Sequence, residues 1–122
     1  MDPSTHAVDL VDRQLAAYNR RDLEAFAACY TEDVELWTGS GQLIARGQAA
    51  FREHYRRLFD ANPGLRGRLV GRQVQGSIVV DHEHLSGRAD REPFFAFAVF
   101  EAAPAGIRRV WFHYEDLAAP IR

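Results

Sequence analysis

The stretch QLAAYNRRDLEAFAACYTEDVELWTGSG, Gln14 to Gly41, changes its periodicity twice, and those changes decide the fold. Leading into it, Val8, Val11, Leu15 and Tyr18 recur at helical spacing, so Thr5 to Tyr18 reads as an amphipathic helix. NRRD breaks the pattern. Asp22 is then placed to cap a second, short helix carrying Leu23, Phe26 and Tyr30, because a carboxylate accepts from the free N–H groups of a first turn. In EDVELW polar and apolar residues alternate, and a glycine turn follows, which predicts a strand.

Beyond Gly47 a third helix is predicted, with Phe51, Tyr55, Leu58 and Phe59 on one stripe and Asn62-Pro63-Gly64 as its stop. The remainder reads as strands near Arg66 to Gln75, Ser77 to Ser86, Pro93 to Ala102 and Ile107 to Glu115. Turns fall at Gly76, at Gly87 to Glu92 and at PAG. Helices followed by a run of adjacent strands imply an α+β domain with a mostly antiparallel sheet. FFAFAVF, Phe94 to Phe100, is apolar throughout and calls for cover on both faces. With helices on one face, a second copy is expected on the other, giving a homodimer through the sheet.

Composition narrows the function classes. A chain of 122 residues fits one domain over 1–122, large enough to bury a core. A net charge of -2 gives no reason to expect nucleic acid or an anionic membrane as partner. No apolar run approaches the ~20 residues of a membrane span. MDPSTHAVDL lacks the basic-then-apolar layout of a secretion signal, so a cytoplasmic location is expected. All 15 basic residues are arginine, and without lysine there is no Schiff base, pyridoxal phosphate anchor or P-loop. The single cysteine, Cys29, sits among Phe26, Ala28 and Tyr30 and reads as a small core residue. One cysteine also removes intrachain disulfides and cysteine-rich zinc sites.

QLAAYNRRDLEAFAACYTEDVELW, GQAAFREHYRRLF and VVDHEHLSG together resemble the nuclear transport factor 2-like superfamily across essentially the whole chain. That superfamily includes SnoaL-like polyketide cyclases, ketosteroid isomerases and limonene epoxide hydrolases. The resemblance implies a cone of three N-terminal helices on a curved sheet, with a pocket between them. It places Gln14, Tyr30, Leu36, Thr38, Tyr55 and Phe59 near that pocket. It also shows what is missing. The helix-one tyrosine of the steroid isomerases matches Gln14, and their general base matches Thr38, which is no base near neutral pH. Their oxyanion aspartate would fall in FFAFAVF, where no acid precedes Glu101. Tyr30 and Tyr55 match the supporting aromatics. The Asp-Arg-Asp arrangement of the epoxide hydrolases maps onto Glu83, Leu85 and the neighbourhood of Phe112, so it is absent too. The SnoaL-like pattern, one acid–base group in a shaped apolar cavity, stays open.

VVDHEHL, Val79 to Leu85, holds the remaining candidates. On a strand, Val79, Asp81, Glu83 and Leu85 share one face, and Val80, His82 and His84 the other. The epoxide hydrolase match turns the acids inward. An inward carboxyl is desolvated and its pKa raised, as a general base or acid needs. The competing reading pairs the acids with Arg68 or Arg72 of the adjacent strand. His82 and His84 lack a third ligand at a recognisable spacing, so no metal is expected, nor any cofactor. On the last strand Phe112 is expected inward, with Trp111, like Trp37, at the interface.

These residues point to a cofactor-independent isomerase or cyclase acting on a small apolar carbonyl or polycyclic compound. Glu83 or Asp81 would be the base and Tyr55 the polar stabiliser. The alternative is a noncatalytic ligand-binding or dimeric interaction module, and the sequence leaves open whether the protein is an enzyme. A cavity of roughly 300 Å³ or more, holding an ionisable group, would favour the first.

Overall fold

The computed structural model of the chain describes residues 2–114. The first helix, α1, covers Pro3–Arg20; Asp2 caps it by accepting from the Ser4 N–H at 3.0 Å, and Pro3 opens it. Arg21 ends α1 in the left-handed conformation, φ 54°, which folds the chain back at NRRD. Asp22 caps α2, Leu23–Ala27, through a 3.1 Å bond from the Ala25 N–H. Tyr30 does not continue this helix as its spacing suggests. It opens strand β1, Tyr30–Thr38, because α2 stops at Ala27 and Gln48 holds the junction through the carbonyls of Ala27, Tyr30 and Thr31.

A strand absent from the sequence expectation, β2 at Leu43–Arg46, pairs with β1. Its four residues are too few for a periodic signal. The third helix, α3, runs Gln48–Ala61 and stops at Asn62, as expected. Strands β3 (Arg66–Gln75), β4 (Ile78–Ser86), β5 (Phe94–Ala103) and β6 (Gly106–Tyr114) follow, within a residue of their expected bounds; the expected end at Glu115 lies outside the described residues.

The six strands form one sheet in the order β2-β1-β6-β5-β4-β3, antiparallel except for β1 beside β6. Helices pack on one face of this curved mixed sheet. Phe26 is the hub beneath them: its ring lies 4.6–6.1 Å from those of Tyr18, Tyr30, Phe51, Tyr55 and Phe59, and stacks on Phe51 at 4°. Within one chain strand β5 is covered on one face only. Phe94, Ala96, Ala98 and Phe100 are buried, while Phe95 and Phe97 are 54% and 49% exposed. No helix among the described residues is long and apolar enough to cross a membrane.

Candidate functional site

The helices do not fill the concave side of the sheet. A cavity of about 260 Å³ remains, with Gln14, Tyr18 and Tyr55 on its helical wall and Glu83, Phe100 and Phe112 on its sheet wall. Leu36, Leu85, Phe94 and Val110 supply further apolar lining. His54 and Arg88 also lie against it. The volume is somewhat under the sequence-based threshold, but the cavity does hold an ionisable group.

That group is Glu83. Strand β4 buries Val79, Asp81, Glu83 and Leu85 and leaves the residues between them half-buried, so both acids face inward. Their surroundings then diverge because of one residue in the neighbouring strand. Continuous pairing of β3 with β4 would carry Gly67 opposite Leu85 and Leu69 opposite Glu83 on to Gly71 opposite Asp81. Instead the register shifts at Val70, so Gly71 meets His82 and Arg72 meets Asp81. This bulge moves Arg72 from the outer face to the inner one. Its Nε and Nη2 donate to the two oxygens of Asp81 at 2.7 and 3.0 Å, and its Nη1 donates to Asp12 of α1 at 2.7 Å. Arg72 is thereby held above the usual arginine range, first by the bond to Asp81.

Glu83 has no such partner. Across the ladder it faces Leu69 and Ala96, and among the described residues none gives it a hydrogen bond or an ion pair. It is 5% exposed. Burial pushes its carboxyl up to about 7, Asp81 adds to the rise, and Arg72 opposes it. An acid in that range exchanges its proton near neutral pH.

The phenols around it are held protonated. Burial is the main cause of raised values at Tyr18, Tyr30 and Tyr55, and Glu83 contributes to each. The Tyr30 hydroxyl donates to Gln14 Oε1 at 2.8 Å, and Gln14 Nε2 donates to the Val11 carbonyl, so that pair is satisfied within the protein. The Tyr18 and Tyr55 hydroxyls have no hydrogen-bond partner among the described residues, and both residues line the cavity. His54 is held below its usual value by burial first, then by Arg88 and Arg57. Arg88 itself is engaged by Asp90 at 2.9 and 2.8 Å.

Of the residues expected at the pocket, Gln14, Tyr30, Leu36, Tyr55, Glu83 and Phe112 line the cavity. Three others do not. Asp81 faces inward but is fully buried against Arg72 and does not reach the space. Thr38 ends β1 and turns its hydroxyl to the following turn, contacting Ser40 and accepting from the Gln42 N–H at 2.9 Å. Phe59 packs in the core against Tyr18, Phe26 and Tyr55. Sequence reasoning missed Tyr18, His54 and Arg88. Tyr18 follows Gln14 by four residues, so helical spacing alone places it on the same face. Arg88 sits in the connection between β4 and β5, and nothing in its local pattern points to the cavity. The described residues hold no cluster of three or more His, Cys, Asp or Glu side chains suited to a metal ion.

Three solved structures show the same fold at low identity. An uncharacterized cystatin fold protein from Novosphingobium aromaticivorans is 23% identical, with a TM-score of 0.81 over 87% of this chain and 96% of its own. A candidate ketosteroid isomerase from Kribbella flavida is 17% identical, with a TM-score of 0.83 over 100% of this chain and 87% of its own. An LEH-like epoxide hydrolase from M. tuberculosis is 19% identical, with a TM-score of 0.78 over 92% of this chain and 84% of its own. No curated protein matches the sequence. The family model of the SnoaL-like domain matches residues 11–116, and the chain belongs to that family, within the nuclear transport factor 2-like fold.

Proposed function

We propose that the cavity is an active site for proton transfer at carbon, with Glu83 as the acid–base group. The observation that carries this reading is a buried carboxyl in an apolar cavity, without a cationic partner among the described residues and pushed up to about 7 by burial. In its ionised form Glu83 takes a proton from a carbon next to a carbonyl. The C–H electron pair becomes the C=C bond of an enolate, and the carbonyl oxygen takes up the charge. The Tyr55 or Tyr18 hydroxyl, protonated and without a partner among the described residues, donates to that oxygen. Where the substrate carries a double bond β,γ to the carbonyl, the pair spreads into a dienolate and Glu83 returns the proton to the γ carbon, which isomerises it. Otherwise the enolate carbon attacks a second carbonyl, which closes a ring, and the alkoxide so formed takes the proton back from Glu83. Neither course needs an electron acceptor.

The substrate class follows from the walls and the size. Sites for drug-sized ligands span about 300–1,000 Å³, so a cavity of about 260 Å³ suits a carbonyl compound of one or two rings rather than four. Incubation with one- and two-ring ketones in D2O should give deuterium next to the carbonyl faster than buffer does. Glu83→Gln should slow that exchange by about 10²–10⁴-fold. Binding without exchange would instead identify a ligand-binding module.

We further propose that the outer face of the sheet pairs with a second copy. Trp37, Trp111, Val99 and Val80 lie side by side across it, next to a row formed by His113, Phe97 and His82. The His82 ring stacks on Phe97 at 4.6 Å.

A further inference from the structure

The two acids of β4 have unequal roles, and the inequality depends on where Arg72 is held. Asp81 and Glu83 share one face and sit about 7 Å apart along the strand. An arginine brought to that face by the bulge at Val70 is within reach of either carboxylate. We propose that Asp81 is a positioning residue that sequesters Arg72, in concert with Asp12, and so keeps Glu83 free of a counter-charge. This inference rests on the reading of Glu83 as the proton-transfer group.

The geometry supports it on three counts. Arg72 meets Asp81 with two parallel bonds, the arrangement that leaves an arginine least free to turn elsewhere. Its remaining Nη1 is anchored to α1 through Asp12, and Arg72 is not among the residues that line the cavity. Asp81 is 0% exposed, so without Arg72 its charge would be buried alone. Among the described residues, the other groups set around Glu83 are uncharged phenols or cations held elsewhere. Helix α1 presents Tyr18 to it, β1 presents Tyr30 and α3 presents Tyr55, all phenols. Strand β5 sets Ala96 opposite it. Arg88 lies against the cavity but is taken by Asp90, and His54 lies beside it.

The test follows the Glu83 carboxyl by NMR in protein labelled with carboxyl-¹³C glutamate, its signal assigned by loss in Glu83→Gln. In the parent the midpoint is expected at about 7. In Asp81→Asn, which keeps the shape but releases Arg72, the midpoint should fall by about 1–3 pH units, as for a carboxylate gaining an arginine. Each unit is a tenfold loss of proton affinity. In the double variant Arg72→Met with Asp81→Leu, both charges vanish together and the midpoint should stay close to the parent value. Buried ion pairs replaced by apolar residues are often tolerated, so this variant guards against a failure of the first to fold. An unchanged midpoint in Asp81→Asn, or an equal fall in the double variant, overturns the proposal. A parent midpoint in the ordinary carboxylate range overturns both this proposal and the proton-transfer reading. A midpoint near 7 that falls in Asp81→Asn, with no exchange on any ketone, upholds the role of Asp81 and removes only the proposed reaction.

Discussion

A carboxyl group kept in an apolar cavity without a partner costs the folded state free energy whenever it is ionised. The folded chain holds the Glu83 proton up to about pH 7, whereas an ordinary glutamate releases it near 4.5. Between those values the folded state binds more protons than the unfolded chain, so stability from this group falls as pH rises through the window and stays low above it. At 1.36 kcal/mol per unit, the loss reaches about 3 kcal/mol at most. Glu83→Gln is therefore expected to match the parent in urea unfolding near pH 4.5 and to exceed it at pH 8, while losing activity. Equal stability of the two at both pH values would show that the carboxyl is not desolvated. The alternation of VVDHEHL showed that Glu83 shares a face with Asp81, and only the resemblance to the epoxide hydrolases turned that face inward. Its lack of an arginine was not, because alternation alone offered Arg68 and Arg72 equally, and one unpaired residue, Val70, decides between faces.

At the scale of elements, the short helix α2 does more than its five residues suggest. Leu23–Ala27 drives Phe26 into contact with five other rings and makes it part of the cavity wall. Phe26→Ala should lower the unfolding free energy by about 3–5 kcal/mol, read from chemical denaturation. A change within about 0.5 kcal/mol, as at an ordinary surface site, would contradict the hub role. NRRD likewise read only as a helix break. In the structure Asn19 exchanges two bonds with Gly67, at 2.9 and 2.7 Å, and Arg21 donates to the Leu65 carbonyl at 2.7 Å. The break thus ties α1 to the start of β3, the strand that carries Arg72. Such long-range bonds leave no local period in a sequence, whereas the bounds of β3 to β6, set by alternation and glycine turns, were readable to within a residue. Strand β2 was too short to be read, and Tyr30 kept helical spacing with Phe26 although it opens a strand.

For the whole molecule, the two faces of the sheet have different fates. The concave face makes the cavity with the helices. The outer face exposes Phe95 and Phe97, apolar positions of FFAFAVF that α1 and α3 do not cover and that the proposed second copy would. The proposed dimer should give twice the chain mass by light scattering at micromolar concentration, and Phe97→Glu should return it to the monomer. A monomer mass for the parent would contradict the pairing. In the cavity, the proposed chemistry is a proton moved by one carboxyl that burial raises to about 7. The pH profile of ketone deuterium exchange tests it most directly. A base acts ionised, so the rate should rise with pH through a single step near 7 and lose that step in Glu83→Gln. A profile with no step between pH 5 and 9, or one that Glu83→Gln leaves in place, would exclude Glu83 as the base.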